Sequence, residues 1–354
     1  MTDLEKLCSR VTEAADCAVI TDDVNRRYFT AMKSSAGTLV VFPEKAYFII
    51  DFRYIEKAKK TVTACEVILQ DKLYEQINSL IEKHGAKTVS VNVDTCTLSE
   101  LIAYQQKLNA EVIADTKLAE IIREIRTVKS QEQIDKIIKA QRIAEKGFAH
   151  MLDFIKVGRT EKEIQLELDY YMLKNGAEAL SFDTIALSGS NTSLPHGVPS
   201  DKKVESGEFV LMDFGATYDG WHSDMTRTVC VGKPSDKMES VYETVLTAQL
   251  SALDAVKAGM SGKALDKIAR DIITEAGYGD NFGHSLGHGV GVEIHESPYA
   301  SPSREDILPD NSIVTVEPGI YLEGKFGVRI EDFVVVTENG CINMTKAPKE
   351  LICL

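Results

Sequence analysis

An α/β fold in two parts is what this sequence predicts, and three features predict it. Short β-rich runs alternate with helical patterns over the first third, a charged passage ends that alternation near residue 120, and the remainder carries a faint internal duplication. In the first part the β-rich runs are CAVIT from Cys17, TLVVF from Thr38, AYFIID from Ala46, CEVIL from Cys65 and TVSVNV from Thr88. Between them, DFRYIEKAKK, YEQINSLIEK and LSELIAYQQKL have the apolar spacing of helices, the pattern of an α/β domain with a mixed or mostly parallel sheet. The passage LAEIIREIRTVKSQEQ follows, in which Ser130 and Gln133 have the spacing of a capping box, so a long helix is expected from about 131 to about 155. The expected domains are 1–123 and 124–354. In the second, a segment ending in KVG at 156–158 precedes a helical pattern ending at Asn175 and Gly176. A segment ending in KAG at 257–259 precedes one ending at Ala276 and Gly277, so both landmarks repeat at an offset of 101 residues. Each pattern is followed by HxxP, at His196 to Pro199 and at His295 to Pro298, and then by a pair of acidic residues. Two related α/β halves, each contributing one carboxylate pair to a site between them, are the expectation.

The acidic pairs carry the chemistry. Asp213 ends a strand-like LMDFG; Tyr218, Asp219 and Gly220 supply a turn, and the chain returns through Asp224. With the turn centred between Tyr218 and Asp219, residues 213 and 224 face each other with Cβ atoms about 4.5–5.5 Å apart. A reversal around Gly324 likewise sets Glu317 opposite Glu331. Like charges facing across strands cost stability unless a cation lies between the oxygens. With His288 in GHSLGHGVG, these four carboxylates have the character of the five ligands of a two-metal hydrolase.

Composition narrows the class. The length of 354 residues and the 44% hydrophobic content suit two globular domains and exclude disordered and fibrous classes. The first twenty residues carry Asp3, Glu5, Lys6, Arg10, Glu13 and Asp16, and no run of eighteen apolar residues occurs anywhere, so a soluble cytoplasmic protein with no membrane partner is expected. The seven cysteines are scattered and never in CxxC spacing, which argues against a disulfide framework or a zinc knuckle. A net charge of −14 argues against nucleic acid as a partner.

The phrases DFG, DMTRTV, GHGVGVEIHE, EPGIY and VRIED resemble those of the pita-bread metallopeptidases, the family of Xaa-Pro aminopeptidase, Xaa-Pro dipeptidase and methionine aminopeptidase. The resemblance is strongest over residues 126–354. The N-terminal part, in phrases such as NRRYFTAM and DFRYIEKA, is similar to the smaller domain that the proline-specific members share with creatinase. The resemblance implies a creatinase/prolidase-like α/β domain followed by a pseudo-twofold pita-bread domain. It implies that Asp213 binds one divalent ion through both oxygens, that Asp224 and Glu331 bridge two ions, and that His288 and Glu317 complete the second. Ligand type does not choose among manganese, cobalt, zinc and iron, and manganese is the family-based expectation. It further implies His196 and His295 near the scissile carbonyl, His284 near the leaving residue, Glu317 as proton shuttle, Arg329 as a partner of the ligands or a carboxylate clamp, and Tyr321 as an orienting group. His222, beside Trp221, has no role in the family's phrases. The implied substrate is a peptide with proline second, and the implied assembly a homodimer. An aminopeptidase of broader or methionine specificity and a non-hydrolytic creatinase-like or peptide-binding protein are the alternatives; the large N-terminal domain and the full ligand set weigh against them.

Overall fold

The computed structural model of the protein describes residues 1–354 in two compact units, 1–126 and 127–354. The first is a six-stranded sheet of β1 (Cys17–Ile20), β2 (Thr38–Val41), β3 (Ala46–Ile50), β4 (Glu66–Leu69), β5 (Thr88–Val91) and β6 (Glu111–Ile113), in the order β4-β3-β2-β1-β5-β6. The sheet is mixed: β2 is antiparallel to both β1 and β3, and the other pairings are parallel. Because strand side chains alternate between faces, Ala18, Ile20, Leu39 and Phe48 bury against α1 (Asp3–Arg10), α2 (Asp23–Thr30), α3 (Ile55–Thr61) and α6 (Lys117–Thr127). Val19, Val40, Tyr47 and Ile49 bury on the other face against α4 (Leu73–His84) and α5 (Leu98–Lys107). The five strands and three helices read from the sequence are present; α1, α2, α6 and the short edge strand β6 are additional.

The second unit opens with α7 (Gln131–Phe154), started by the capping box of Ser130 and Gln133, and α8 (Glu161–Lys174), capped by Thr160. Strands β7 (Ala179–Leu180), β8 (Ile185–Ser188), β9 (Glu208–Phe214), β10 (Ala216–Tyr218), β11 (Trp221–His222) and β12 (Met225–Val231) follow. Then come α9 (Asp236–Ala255), α10 (Gly262–Glu275), β13 (Gly287–Gly289), β14 (Glu296–Ala300), β15 (Ile313–Val316), β16 (Gly319–Leu322), β17 (Phe326–Arg329), β18 (Asp332–Thr337) and β19 (Gly340–Asn343). The duplication is physical. Ile143, Ala144 and Phe148 of α7 pack with Ile164, Leu168 and Met172 of α8 over Val210, Met212 and Val229 of β9 and β12. Val241, Val245 and Ala252 of α9 pack with Leu265, Ala269 and Ile273 of α10 over Val314, Val316 and Val334 of β15 and β18. The entries to α8 and α10 use matching hydrogen bonds: Gly158 N–H donates to Val204 O and Gly259 N–H to Leu308 O, each at 2.9 Å. Val204 N–H returns to Arg159 O and Leu308 N–H to Met260 O.

One register differs from the sequence expectation. Asp213 pairs with Thr226, not Asp224, and the ladder continues from Thr217 with His222 to Tyr218 with Trp221. The turn is the two-residue Asp219-Gly220, with φ of 49° and 81°, a left-handed pair that aspartate and glycine tolerate and that matches strand twist. Tyr218 therefore stays in the strand, the turn centre moves by one residue and the partner of Asp213 by two, and Asp224 lies diagonal to Asp213. In the other hairpin Val316 pairs with Asp332 and Gly319 with Arg329, so Glu317 and Glu331 fall opposite each other, and the chain reverses at Gly324 with φ of 67°. Between β9 and β10, Gly215 lets the hairpin pinch: a Cβ there would stand 1.9 Å from Ser223 O and 2.9 Å from the Ser181 side chain.

Gly215→Ala is accordingly expected to lower the urea midpoint by the equivalent of roughly 2–4 kcal/mol, since the Ser223 backbone carbonyl cannot yield cheaply. Gly340→Ala, where nothing lies within 4 Å, should stay within about 0.5 kcal/mol of the parent protein. Equal midpoints for the two variants would refute the close-approach argument.

Candidate metal centre and catalytic cleft

Asp213, Asp224, His288, Glu317 and Glu331 all face one cavity of about 800 Å³, which His196, His284, His295 and Arg329 also line. The ligand-type atoms of Asp224, His288 and Glu331 lie within 4.8 Å of one another. His288 Nε2 is 3.5 Å from an oxygen of Asp224 and 3.3 Å from Glu317 Oε1. These are not ion pairs. His288 Nδ1 is 3.1 Å from the Gly289 carbonyl, which can only accept, so the proton of a neutral imidazole sits on Nδ1 and the lone pair of Nε2 faces the carboxylates. Burial, with His295 adding to it, pushes His288 down to about 3, which keeps that ring neutral.

Two threonines set the carboxylates. Thr315 Oγ1 accepts from the His288 backbone N–H at 3.0 Å and donates to Glu317 Oε1 at 3.1 Å, tying the two ligand positions together. Thr226 Oγ1 donates to Glu331 Oε2 at 2.8 Å and accepts from Arg329 Nε at 3.0 Å. Arg329, 3% exposed, also donates Nη2 to Asp213 Oδ2 at 2.5 Å and Nη1 to Tyr321 Oη at 2.7 Å. Burial opposes its charge, but Tyr321, Asp213 and Glu317 together hold its pKa well above the ordinary arginine value. Asp213 Oδ1 is buried and has no hydrogen-bond partner. One oxygen of Asp213 is thus held by Arg329 and the other stands open, where the resemblance implied that both would bind an ion.

The electrostatics fit cations. Burial and the neighbouring Asp213 and Glu317 carboxylates raise Asp224 well above its ordinary value. Burial, with Asp224, Glu317 and Asp213, does the same for Glu331. Glu317 is pushed up to about 8, by burial first and by Asp213 against the opposing Arg329. Carboxylates this crowded, a neutral imidazole lone pair aimed among them and an orphaned carboxylate oxygen form a donor set for hard divalent cations.

Around this centre, His196 and His295 stand at the open side of the cavity, and the His295 ring lies edge-on to His288 with centroids 4.3 Å apart. His284 is fixed on both nitrogens: Nδ1–H donates to Ser285 O at 2.8 Å and Nε2 accepts from Tyr321 Oη at 3.0 Å. Burial, reinforced by Arg329, pushes His284 down to about 4. Tyr321 backs the wall behind His284 and Arg329 and is not among the residues lining the cavity. His222 meets Thr217 on the outer hairpin. Thr226 and Thr315 were not foreseen, although each stands in a ligand motif, DMTRTV and IVTVEPG, where a hydroxyl beside a carboxylate is a usable signal.

Fold and donor set together define a metal-dependent peptidase of two domains. Residues 135–338 match the model of Metallopeptidase family M24 and residues 4–128 that of the Creatinase/Prolidase N-terminal domain; the chain belongs to family M24 and is a metallopeptidase that uses divalent metal. It is 39% identical over 352 residues to the Xaa-Pro dipeptidase of Pyrococcus furiosus, with 99% of each chain covered. Among solved structures it resembles the Xaa-Pro dipeptidase from Bacillus anthracis with a TM-score of 0.96 at 41% identity, covering 99% of both chains. It resembles the X-Pro aminopeptidase from Thermotoga maritima MSB8 with a TM-score of 0.91 at 38% identity, covering 96% of this chain and 98% of that one.

The Glu317 shift gives a pH dependence with a definite sign. Its pKa is raised from 4.5 to about 8 on folding, so its contribution to the stability of chelated protein is fully present below 4.5 and is lost as pH rises through about 8. Asp224 and Glu331, raised in the same direction, reinforce it. Chelator-treated protein should therefore melt at progressively lower temperature as pH rises from about 5 to about 8.5, and saturating manganese should flatten that slope. A melting temperature of chelated protein that rises across this window would refute the arrangement.

Proposed function

We propose that the protein hydrolyses Xaa-Pro bonds, as an Xaa-Pro dipeptidase or an aminopeptidase of the aminopeptidase P type. In this reading residues 124–354 form the catalytic domain and 1–123 the creatinase/prolidase-like domain. The observation that carries it is the buried meeting of ligand atoms from Asp224, His288 and Glu331 within 4.8 Å, with Glu317 and the open oxygen of Asp213 on the same cavity. These five side chains would hold two divalent ions, manganese first, with cobalt, zinc or iron as alternatives. Bound there, the ions supply Lewis acidity toward the scissile carbonyl and make a water more acidic.

The remaining chemistry belongs to the chain. Glu317 takes a proton from the attacking water and delivers it to the leaving imino nitrogen. His295 and His196, at the open side of the cavity, donate to the carbonyl oxygen as charge develops on it. Arg329 is buried and donates through Nε, Nη1 and Nη2 to Thr226, Tyr321 and Asp213, so its part here is to orient Asp213. Tyr321 acts through the groups it touches, holding Arg329 on one side and His284 on the other, and His284 faces the leaving residue. Proline has no N–H and a fixed φ, so a wall built against an ordinary extended backbone still admits it. A cytoplasmic homodimer is proposed from the resemblance to the proline-specific members.

Purified protein with added manganese is expected to cleave Ala-Pro, a longer Xaa-Pro-Yaa peptide, or both; the pattern separates dipeptidase from aminopeptidase. Cleavage of Met-Ala-Ser alone would overturn the proline reading. Elemental analysis should return roughly two divalent ions per chain. Asp224→Ala should reduce turnover by more than about 100-fold, beyond the loss usual for an outer partner of a metal ligand, while far-UV circular dichroism is unchanged. Undiminished turnover by that variant after metal depletion would refute the ligand assignment. Light scattering at the monomer mass would remove the homodimer.

A further inference from the structure

His196, itself exposed, lies on a loop that packs little on either side of the imidazole. The loop runs from the end of β8 at Ser188 to Ser200, and its only regular structure is the short 3-10 turn Gly189–Ser193. Leu194 and Val198, two residues to either side of His196, face outward at 54% and 84% exposure, whereas Thr192 and Pro199 are buried and Thr192 Oγ1 accepts from Gly327 N–H at 2.8 Å, so apolar burial seats parts of the loop but contributes little beside the imidazole. What spans the loop is Glu161, the first residue of α8, whose side chain is fully buried. One carboxylate oxygen takes the entrance: Oε1 accepts from Ser188 N–H at 2.7 Å and Ser188 Oγ at 3.2 Å. The other takes the exit: Oε2 accepts from Ser200 N–H at 2.9 Å and Ser200 Oγ at 2.6 Å. Asn191, inside the loop, donates Nδ2 to both oxygens, at 3.0 and 3.2 Å. An acceptor-only group thus meets donors on every side, and three points of the loop converge on one rigid helix start.

We propose that Glu161 is a positioning residue for the reaction: its carboxylate clamps both ends of the His196 loop and thereby fixes where that imidazole stands in the cleft. This rests on the placement of His196 in the reaction proposed above. The clamp needs a carboxylate, because a glutamine would turn an N–H₂ toward serine and asparagine donors and release one end of the loop. Glu161 hydrogen-bonds directly to no residue of β9–β12 or β15–β18, but its partner Ser188 pairs with Val210 of β9, so the bound metal of the variant separates an effect on His196 from one on the strand of Asp213.

The test is a double-mutant cycle with an independent structural readout. Glu161→Gln is expected to lower kcat/KM on an Xaa-Pro substrate roughly 10- to 100-fold, the scale of a small misplacement of a reacting group, with bound metal unchanged. In a His196→Ala background the same substitution should cost no more than about threefold, because the group it positions is gone. Hydrogen exchange of the metal-free variant should quicken over 188–200 and not over 285–300. Ser200→Ala, which removes one hydroxyl donor and keeps the backbone one, should give a smaller loss with the same non-additivity and covers the case in which Glu161→Gln folds poorly. Additive losses, a Glu161→Gln enzyme at the parent rate, or exchange quickening evenly through the chain would overturn the proposal. If the parent protein cleaves no Xaa-Pro peptide, the functional reading fails instead, and the exchange pattern still decides whether Glu161 clamps the loop.

Discussion

Mutual repulsion among buried carboxylates is the constraint on which the second unit is built. Asp213, Asp224, Glu317 and Glu331 come from two hairpins and converge on one cavity, and burial raises the cost of charging three of them. A single cationic side chain, Arg329, reaches into the group, bonded to Asp213 directly and to Glu331 through Thr226. One guanidinium cannot offset four carboxylates, so the site either keeps protons or takes cations. The same charge arrangement therefore couples metal affinity to pH and to folding, because the groups that must lose protons to bind an ion are those whose protonation steadies the chelated fold.

The carboxylates are held in place by hydroxyls rather than by further charges. Thr226 and Thr315 each accept one hydrogen bond and donate another to a ligand-type carboxylate, fixing orientation without adding charge to an already loaded cavity. Arg227, the neighbour of Thr226, points to the opposite face, as strand alternation requires. There it donates to the Glu331 and Ala347 carbonyls and to Asp332, at 2.5, 2.8 and 2.7 Å. Adjacent residues of one strand thus grip Glu331 from two directions, the Thr226 hydroxyl at its carboxylate and the Arg227 guanidinium at its backbone carbonyl. The DMTRTV phrase encodes both holds.

What the sequence made legible followed locality. The strand and helix runs of the first unit, the capped start of α7 and the reversal at Gly324 are all set by residues within a few positions of one another, and each stands where its local pattern put it. The misjudged register was local too: Asp219 reads as an ordinary turn residue, yet its left-handed backbone makes Asp219-Gly220 the whole turn and moves Thr226 opposite Asp213. The clamp of Glu161 was invisible for a different reason. Its partners lie 27 to 39 positions away, and nothing in a glutamate one residue past an N-cap threonine distinguishes a buried anchor from a helix-dipole partner at the surface. Short edge strands such as β6 fail for lack of length, since three residues cannot show a period.

The internal duplication explains why the two cleft histidines of the HxxP phrases need different supports. The position of Glu161 in the first half corresponds to Gly262 in the second, the residue after the N-cap of α10, where a Cβ would stand 1.9 Å from Tyr299 O. No side chain fits there, so the second half cannot repeat the carboxylate clamp. It uses a buried ion pair instead: Glu296, next to His295, is bonded through Oε1 to Lys129 Nζ at 2.6 Å, and the lysine side chain is fully buried. Lys129 in turn is fixed by its backbone N–H to Asn311 O, beside the start of β15. Both supports reach the HxxP segment from a helix start, α8 in one half and the approach to α7 in the other, and both use a buried charge that is satisfied on arrival. A buried charge with its partners in place favours one geometry over its neighbours more sharply than apolar packing does, because any displacement leaves the charge unpaired in a low-dielectric interior. Two halves built on one plan thus differ in the residues that brace the cleft while sharing the pairs of carboxylates that define it.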